Sequence, residues 1–375
     1  MKRGLLGTTA LAAVGLLAVD AAADDGIKLH IGGRYLGAAG GTLDEHSNVF
    51  GLEDNTRDYV FKQDVEVYFL GETTLDNGLT IGARVELEGQ TSSDQIDAVF
   101  AYFSGGFGEV RFGDTFEALA QMCYTVPSAS SIFGADSPLF NFSNAGAIIG
   151  GLATGYSGTN GTCYGIDDKS TKIVYFSPSF DGFQFAASFT PDNTEDTRNT
   201  LNGAGTRFQN DTDQLSENLS VAASFTQEFN GIALAVGGAG SFSFDRENNA
   251  SPAFEDRREY NAYARVGYAG VTFGGAYSFR ENTFSFKRDS EVYGVGATYD
   301  WSRYSVGVGW THGRYELDSF SGAEDNHDVY ALTGSFQLGP GISIDGLIGY
   351  SDYDSDFTFF DYSTVEIGLG TSIAF

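Results

Sequence analysis

Long hydrophobic runs are almost missing from this chain. The one present spans about Leu5 to Val19, behind Lys2 and Arg3 and ahead of Ala21-Ala22-Ala23. A positive start, an apolar stretch and small residues at its end form an export signal, so Asp24 is the expected first mature residue. The run falls short of the ~20 residues a spanning helix needs. Nothing after Ala23 supplies one, which excludes a helical membrane protein. Basic residues are also scarce: 21 Lys and Arg stand against 50 Asp and Glu, a formal charge of -29. Loss of residues 1–23 removes Lys2, Arg3 and Asp20 and leaves the chain slightly more acidic still. Phosphate backbones need basic partners, so nucleic acid is excluded as a partner. The four histidines, His30, His46, His312 and His327, have no metal-ligand spacing, and none lies near Cys123 or Cys163. A nucleophile–base pair is absent, and an enzyme is not expected.

What is abundant is glycine, 50 residues, and a period of two. In Leu79–Leu87 the odd positions Leu79, Ile81, Ala83, Val85 and Leu87 are apolar, while Thr80, Gly82, Arg84 and Glu86 are not. The C-terminus repeats this: Val365, Ile367, Leu369, Ile373 and Phe375 alternate with Glu366, Gly368, Gly370, Ser372 and Ala374. Such alternation marks strands with one apolar face. Sixteen such segments run from 27–38 to 361–375.

Their connections alternate in length. Tight ones include Asp76-Asn77-Gly78, Asp181-Gly182, Asn230-Gly231, Ala269-Gly270, Trp301-Ser302 and Gly339-Pro340-Gly341, several of them hairpin signals. The others, such as 39–57, 192–216 and 245–257, are longer and polar. Short turns at one end and long loops at the other are the layout of an outer-membrane barrel. Aromatics gather near the short turns (Phe107, Phe180, Phe183, Phe229, Tyr268, Tyr299, Trp301, Tyr304) and near the far end (Tyr35, Tyr59, Tyr277, Trp310, Tyr315, Tyr350). These positions suit two interfacial girdles. Gly32, Gly82, Gly274, Gly307, Gly309 and Gly368 fall on the opposite face and are expected to leave the interior open for water. The fold class is therefore all-β: a transmembrane antiparallel β-barrel of about sixteen strands, occupying 24–375 after a signal at 1–23.

One stretch has no period. From Thr115 to Lys169 it holds both cysteines, Pro127, Pro138, Glu117, Asp136, Asp167 and Asp168. A loop this long is uncommon unless functional. The expectation is that 116–169 folds into the lumen and narrows the channel.

With these features the chain resembles the general diffusion porins of Gram-negative bacteria, of the alphaproteobacterial kind. The likeness rests on the signal, the sixteen segments, the Gly105-Gly-Phe-Gly-Glu-Val-Arg-Phe-Gly113 run before the long third loop, and the terminal Phe375. It implies an outer-membrane homotrimer in lipid and lipopolysaccharide, with one pore per chain for passive diffusion of small hydrophilic solutes and ions. It implies that Phe375 is the signal for the barrel assembly machinery. It also implies a constriction with wall bases facing loop acids. Parity puts Arg34, Lys62, Arg84 and Arg111 on the lumenal face, and the loop partners would be Asp114, Glu117 and Asp136. Asp64, Glu66, Glu86, Asp97 and Glu109 form the next shell, and the acidic balance suggests modest cation preference.

Cys123 and Cys163 bracket the loop in an oxidising compartment and are expected to pair. Asp352, Asp354 and Asp356 alternate like the start of a calcium loop but lack its glycine and distal glutamate. They are weak candidates for structural Ca2+ or Mg2+, alongside ions shared with lipid headgroups, and no other cofactor is expected. A solute-specific channel is the alternative function. An outer-membrane adhesin lacks a large outer domain, and an outer-membrane enzyme lacks a Ser/His pair.

Overall fold

The computed structural model describes residues 17–18, 26–47, 58–89, 95–136, 142, 160–163, 165–167, 169–192, 216–244, 256–281, 289–318, 322–356 and 361–375. The expected signal lies outside these residues except for β1, Leu17–Ala18, which pairs with Ile31 and His30. Sixteen longer strands follow. They are β2 (Lys28–Ser47), β3 (Tyr59–Thr74), β4 (Thr80–Glu88), β5 (Ile96–Gly105), β6 (Gly108–Asp114), β7 (Thr171–Phe176), β8 (Phe183–Asp192) and β9 (Ser216–Phe229). Then come β10 (Ile232–Phe244), β11 (Arg257–Tyr268), β12 (Val271–Glu281), β13 (Ser290–Trp301), β14 (Tyr304–Asp318), β15 (Ala323–Gly339), β16 (Ile342–Ser355) and β17 (Tyr362–Ala374). Each pairs antiparallel with the next, and β17 pairs with β2, so the sheet closes into a sixteen-strand barrel. Closure leaves no open edge of N–H and C=O groups, which lipid could not satisfy. At the seam Gly33 and Phe375 exchange backbone hydrogen bonds of 2.9 and 3.1 Å.

The tight turns form where residues that tolerate left-handed φ stand. Asp181-Gly182, Asn230-Gly231 and Ala269-Gly270 have positive φ at both positions, the requirement of a two-residue hairpin that follows the strand twist. Ser302 also has positive φ, and the turn there is Ser302-Arg303, one residue beyond the expected Trp301-Ser302, because Trp301 still pairs with Tyr304. Two strands run four residues or more beyond their expected spans of 27–38 and 327–338. β2 runs to Ser47 although Ala38-Ala39-Gly40-Gly41 has little strand preference, because β17 and β3 hold it from both sides. β15 begins at Ala323, four residues early, because Glu324 and Asp325 pair with β14 and Asp325 with β16.

The outward face is apolar and aromatic. Phe107, Phe180, Phe183, Phe229, Tyr268, Tyr299, Trp301 and Tyr304 are all exposed at the turn end. Tyr299, Trp301, Tyr304 and Phe336 stack in succession at 5.0–5.6 Å between ring centroids. A rim of stacked rings at one height suits a membrane–water boundary. Tyr315 departs from the expected far girdle: it faces the lumen and donates to Asn160 Oδ1 at 2.9 Å.

Candidate functional site: the lumen and its third loop

The loop between β6 and β7 enters the barrel. Its outgoing arm begins with Glu117 and the short helix α1 (Ala118–Gln121). The first helical N–H groups have no partner within the helix. Here the wall satisfies them: Ala118 N donates to Ser188 Oγ at 3.0 Å and Leu119 N to Ser220 Oγ at 2.9 Å. Tyr124 then meets Tyr263 edge to face at 4.8 Å on β11. Ala129 N donates to Thr333 Oγ1 at 3.2 Å on β15, and Thr311 on β14 donates to Ala135 O at 2.8 Å. Ile132, Phe133 and Phe142 pack with Leu36 and Ala38 of β2. The loop therefore follows the inner wall from β8 round to β17 and β2.

Glycine makes that close approach possible. A Cβ on Gly296 would lie 2.5 Å from Pro127 O, and one on Gly368 2.6 Å from the Phe142 ring. The same holds for Gly307 and Gly309, which face Ala129 and Ala135. The expectation that lumenal glycines leave empty space is corrected at these positions: the loop fills it. Gly82 and Gly274 are covered in turn by the Tyr102 ring and the Arg265 stem.

The return arm is fastened to the outgoing one. Cys123 and Cys163 form the expected disulfide, with Cα atoms 5.6 Å apart. Asp136 accepts from Val126 N at 3.1 Å, Thr162 N at 2.9 Å and the Thr162 hydroxyl. Glu117 accepts from Ile166 N at 2.9 Å, Asn218 Nδ2 at 2.5 Å and Ser241 Oγ at 2.7 Å. Asn160 donates to His327 O at 2.8 Å and Thr311 Oγ1 at 3.2 Å. Near the root, Lys172 and Asp167 form a buried pair at 3.0 Å.

These contacts change the roles of three expected constriction acids. Glu117 and Asp136 are buried, 0% and 5% exposed, and present no charge to water. Asp114 is buried as well and accepts from the Thr171 hydroxyl, sealing β6 to β7. Strand parity gives an inside and an outside, but an aperiodic loop has no parity from which to read a direction. Burial pushes the Glu117 carboxyl up to about 7 despite its hydrogen bonds from Ser241 and Asn218. Burial also pushes Asp136 up to about 6, against the bonds from Thr162 and Val126.

The expected wall bases do come together on the lumenal face of β2–β6. Arg34 pairs with Asp64 at 3.0 Å and with Glu66. Arg84 pairs with Glu86 at 2.6 Å and lies 4.6 Å over the Tyr68 ring. Arg111 pairs with Glu109 at 2.6 Å, donates to Gln121 Oε1 at 2.6 Å and is flanked by Phe100 and Phe176. Lys62 lies 5.6 Å over the Phe142 ring. The acidic partners of the three arginines belong to the same wall, not to the loop. Asp352, Asp354 and Asp356 do not converge as a ligand set; they are exposed, and Asp356 accepts from Glu324 N at 2.8 Å. Among the described residues, the carboxylate trios that converge within 4.8 Å are Asp64, Glu66, Glu88 and Glu66, Glu86, Asp97.

The anchoring residues Ser188, Asn218, Ser220, Ser241, Thr311 and Thr333 were not expected from the sequence. Their signal was nonetheless there, since the inward positions of β8, β9, β10, β13 and β14 are mostly small or hydroxylated where those of β2–β6 are largely charged.

The chain matches the family model of the Gram-negative porins over residues 7–356. No curated protein matches it by sequence. Among solved structures it is similar to OmpT, an outer membrane protein of Vibrio cholerae, at 13% identity over 96% of this chain and 100% of that one, with a TM-score of 0.61. A trimer form of OmpT gives 14% identity, 94% and 100% coverage and a TM-score of 0.59. The anion-selective porin of Comamonas acidovorans gives 15%, 93% and 99%, with a TM-score of 0.55. At such identities the structures show a shared fold. The family match spans nearly the whole sequence and agrees with the closed barrel and the inward loop. The chain therefore belongs to the Gram-negative porin family and forms a channel, not an enzyme.

Proposed function

We propose that this porin lets small hydrophilic solutes and ions cross the outer membrane passively, with modest preference for cations. The observation that supports it is the shape of the interior: a loop laid along one side of the wall, and a water-facing band of charged residues on the other. Wide barrels of this strand number hold water, not a side-chain core. The acidic balance favours cations in the mouth and lumen. By analogy with the trimer form of OmpT, the working unit is a homotrimer seated in lipid and lipopolysaccharide. Phe375, whose ring lies over Gly33 at the seam, is the residue the assembly machinery would read. Divalent ions near Asp352, Asp354 and Asp356 would act only as bridges to headgroups.

The test is insertion of purified protein into a planar bilayer under a salt gradient. Discrete conductance steps and a reversal potential of cationic sign are expected; no steps would refute the channel, and an anionic sign would refute the preference. A solute-specific channel remains a second reading because Tyr68, Phe100, Tyr102 and Phe176 do line the β3–β7 wall. Saturation of conductance by one solute, competitively blocked, would favour it.

A further inference from the structure

In this porin, we infer that charge selection is made by the β2–β5 wall with Lys169, and that the buried acids of the constriction loop, Glu117, Asp136 and Asp167, contribute none of it. The solutes so selected are small inorganic cations and ammonium-bearing or zwitterionic molecules. This rests on the channel reading above.

The first observation is the chemistry of the loop. Between Ala118 and Ile166 the sequence holds one carboxylate, Asp136, and no lysine, arginine or histidine. Asp136 is consumed by three hydrogen bonds from the loop itself. Glu117 and Asp167, at the two ends, are buried among Asn218, Ser241, Lys172 and Thr190. A buried, hydrogen-bonded carboxylate is shielded from ions in the channel by the groups that bind it. The segment from Ala118 to Ile166 therefore offers neutral groups to a passing ion.

The second observation is the opposite wall. Asp64, Glu66, Glu86, Glu88 and Asp97 form two trios that share Glu66, and these five carboxylates meet three cations, Arg34, Arg84 and Lys169. The cluster is level with the loop, because Lys169 is the loop's own last basic residue and it pairs with Asp97. The guanidinium of Arg84 lies 4.6 Å over the Tyr68 ring and is paired with Glu86, which disfavours its reaching across the channel to an anion. Excess carboxylate stays on the wall, in reach of water, while the bases are neutralised where they stand. At close range such charges bias permeation more than acids on the outer loops, which salt screens beyond ~8 Å.

The measurement is the reversal potential in a KCl gradient for wild type, Glu86→Gln, Glu88→Gln, Asp136→Asn and Glu117→Gln, each first shown to migrate as a folded barrel before boiling. Glu86→Gln and Glu88→Gln are expected to lower the cation-to-anion permeability ratio about twofold or more, with Glu86→Gln the larger because it also frees Arg84. Asp136→Asn and Glu117→Gln are expected to leave the ratio within error. If the wall variants do not move it, or if either loop variant moves it as far as Glu86→Gln, the inference fails. If Asp136→Asn does not fold, Glu117→Gln alone decides the loop arm. A wild-type protein that never conducts would defeat the channel reading instead, so the two failures are distinguishable.

Discussion

From β8 to β17 the inward face is mostly glycine, alanine, serine and threonine, and its charged groups are tied up, Arg265 donating to Thr125 O of the loop and Arg280 pairing with the buried Glu259; from β2 to β6 it carries arginine, glutamate and tyrosine. The same strand geometry supports both halves, so the difference lies in what each half must meet. The small half meets a protein segment. It needs room for backbone at Gly296 and Gly368 and hydroxyls for loop N–H groups at Ser188, Ser220 and Thr333. The charged half meets water and solutes, and its ions are satisfied by pairing within the wall, across strands at Arg34 and along one strand at Arg84 and Arg111. A porin interior is thus partly a docking surface, with the selecting surface confined to the remainder.

The largest expected effect comes from cutting the loop away from its half. Glu117→Leu leaves Asn218, Ser241 and Ile166 N without their acceptor in a buried site. Leaving buried donors unpaired costs roughly 3 to 5 kcal/mol for the set. The loop should become a protease target and single-channel conductance should rise, while the barrel still resists detergent before boiling. Unchanged conductance and protection would show that the loop does not depend on this anchor.

Next comes pH. Glu117 sits at about 7 and Asp136 at about 6 in the docked loop, above the ordinary 4.5 and 3.8. A raised carboxyl holds its proton more tightly when docked, so docking is strongest below the ordinary values and weakens as pH rises through 6 and 7. For Glu117 the span amounts to roughly 3 kcal/mol at most. Loop proteolysis by a protease of flat pH profile should be faster at pH 8 than at pH 5, and Glu117→Gln should flatten the difference. A faster cut at pH 5 would reverse the sign and contradict the burial.

Steric change of the small half comes third. Gly296→Val forces a side chain against Pro127 O and Val126, whereas a Cβ on Gly334 meets nothing closer than 3.9 Å. Overpacking of this kind costs about 2 kcal/mol. Gly296→Val should raise conductance or its noise, and Gly334→Ala should leave both unchanged; equal behaviour of the two would argue that the loop does not rest on Gly296.

The smallest effect belongs to the rim. Asp354→Asn removes an exposed charge near the loop end of β16, and screening should hide it at 0.15 M salt. A reversal-potential shift comparable to that of Glu86→Gln would place selection at the mouth.

Much of this was legible in the sequence, because alternation fixes both the strand and its faces. Arg34, Lys62, Arg84 and Arg111 could be placed in the lumen from parity alone, and the turns from Asp-Gly and Asn-Gly. The Cys123–Cys163 pair followed from compartment and spacing. The loop was not legible in the same way. Nothing in Glu117 or Asp136 says whether an acid faces water or folds back on its own segment. One clue was available: a stretch with no other ionised side chain from Ala118 to Ile166 is too apolar to stand alone in water. It has to lie on something, and the row of lumenal glycines is what it lies on.

Paired cysteine labelling in a conducting pore tests the two-halved lumen most directly. Arg84→Cys places a thiol on the water-facing half; Thr311→Cys places one under the loop, at a fully buried site. The native cysteines are already joined and do not react. A charged methanethiosulfonate reagent added to the open channel should step the current down in Arg84→Cys within the time of mixing and leave Thr311→Cys unaffected. Equal, rapid modification of both would mean that the loop does not cover the β8–β17 wall, and the account of one docking half and one selecting half would be wrong.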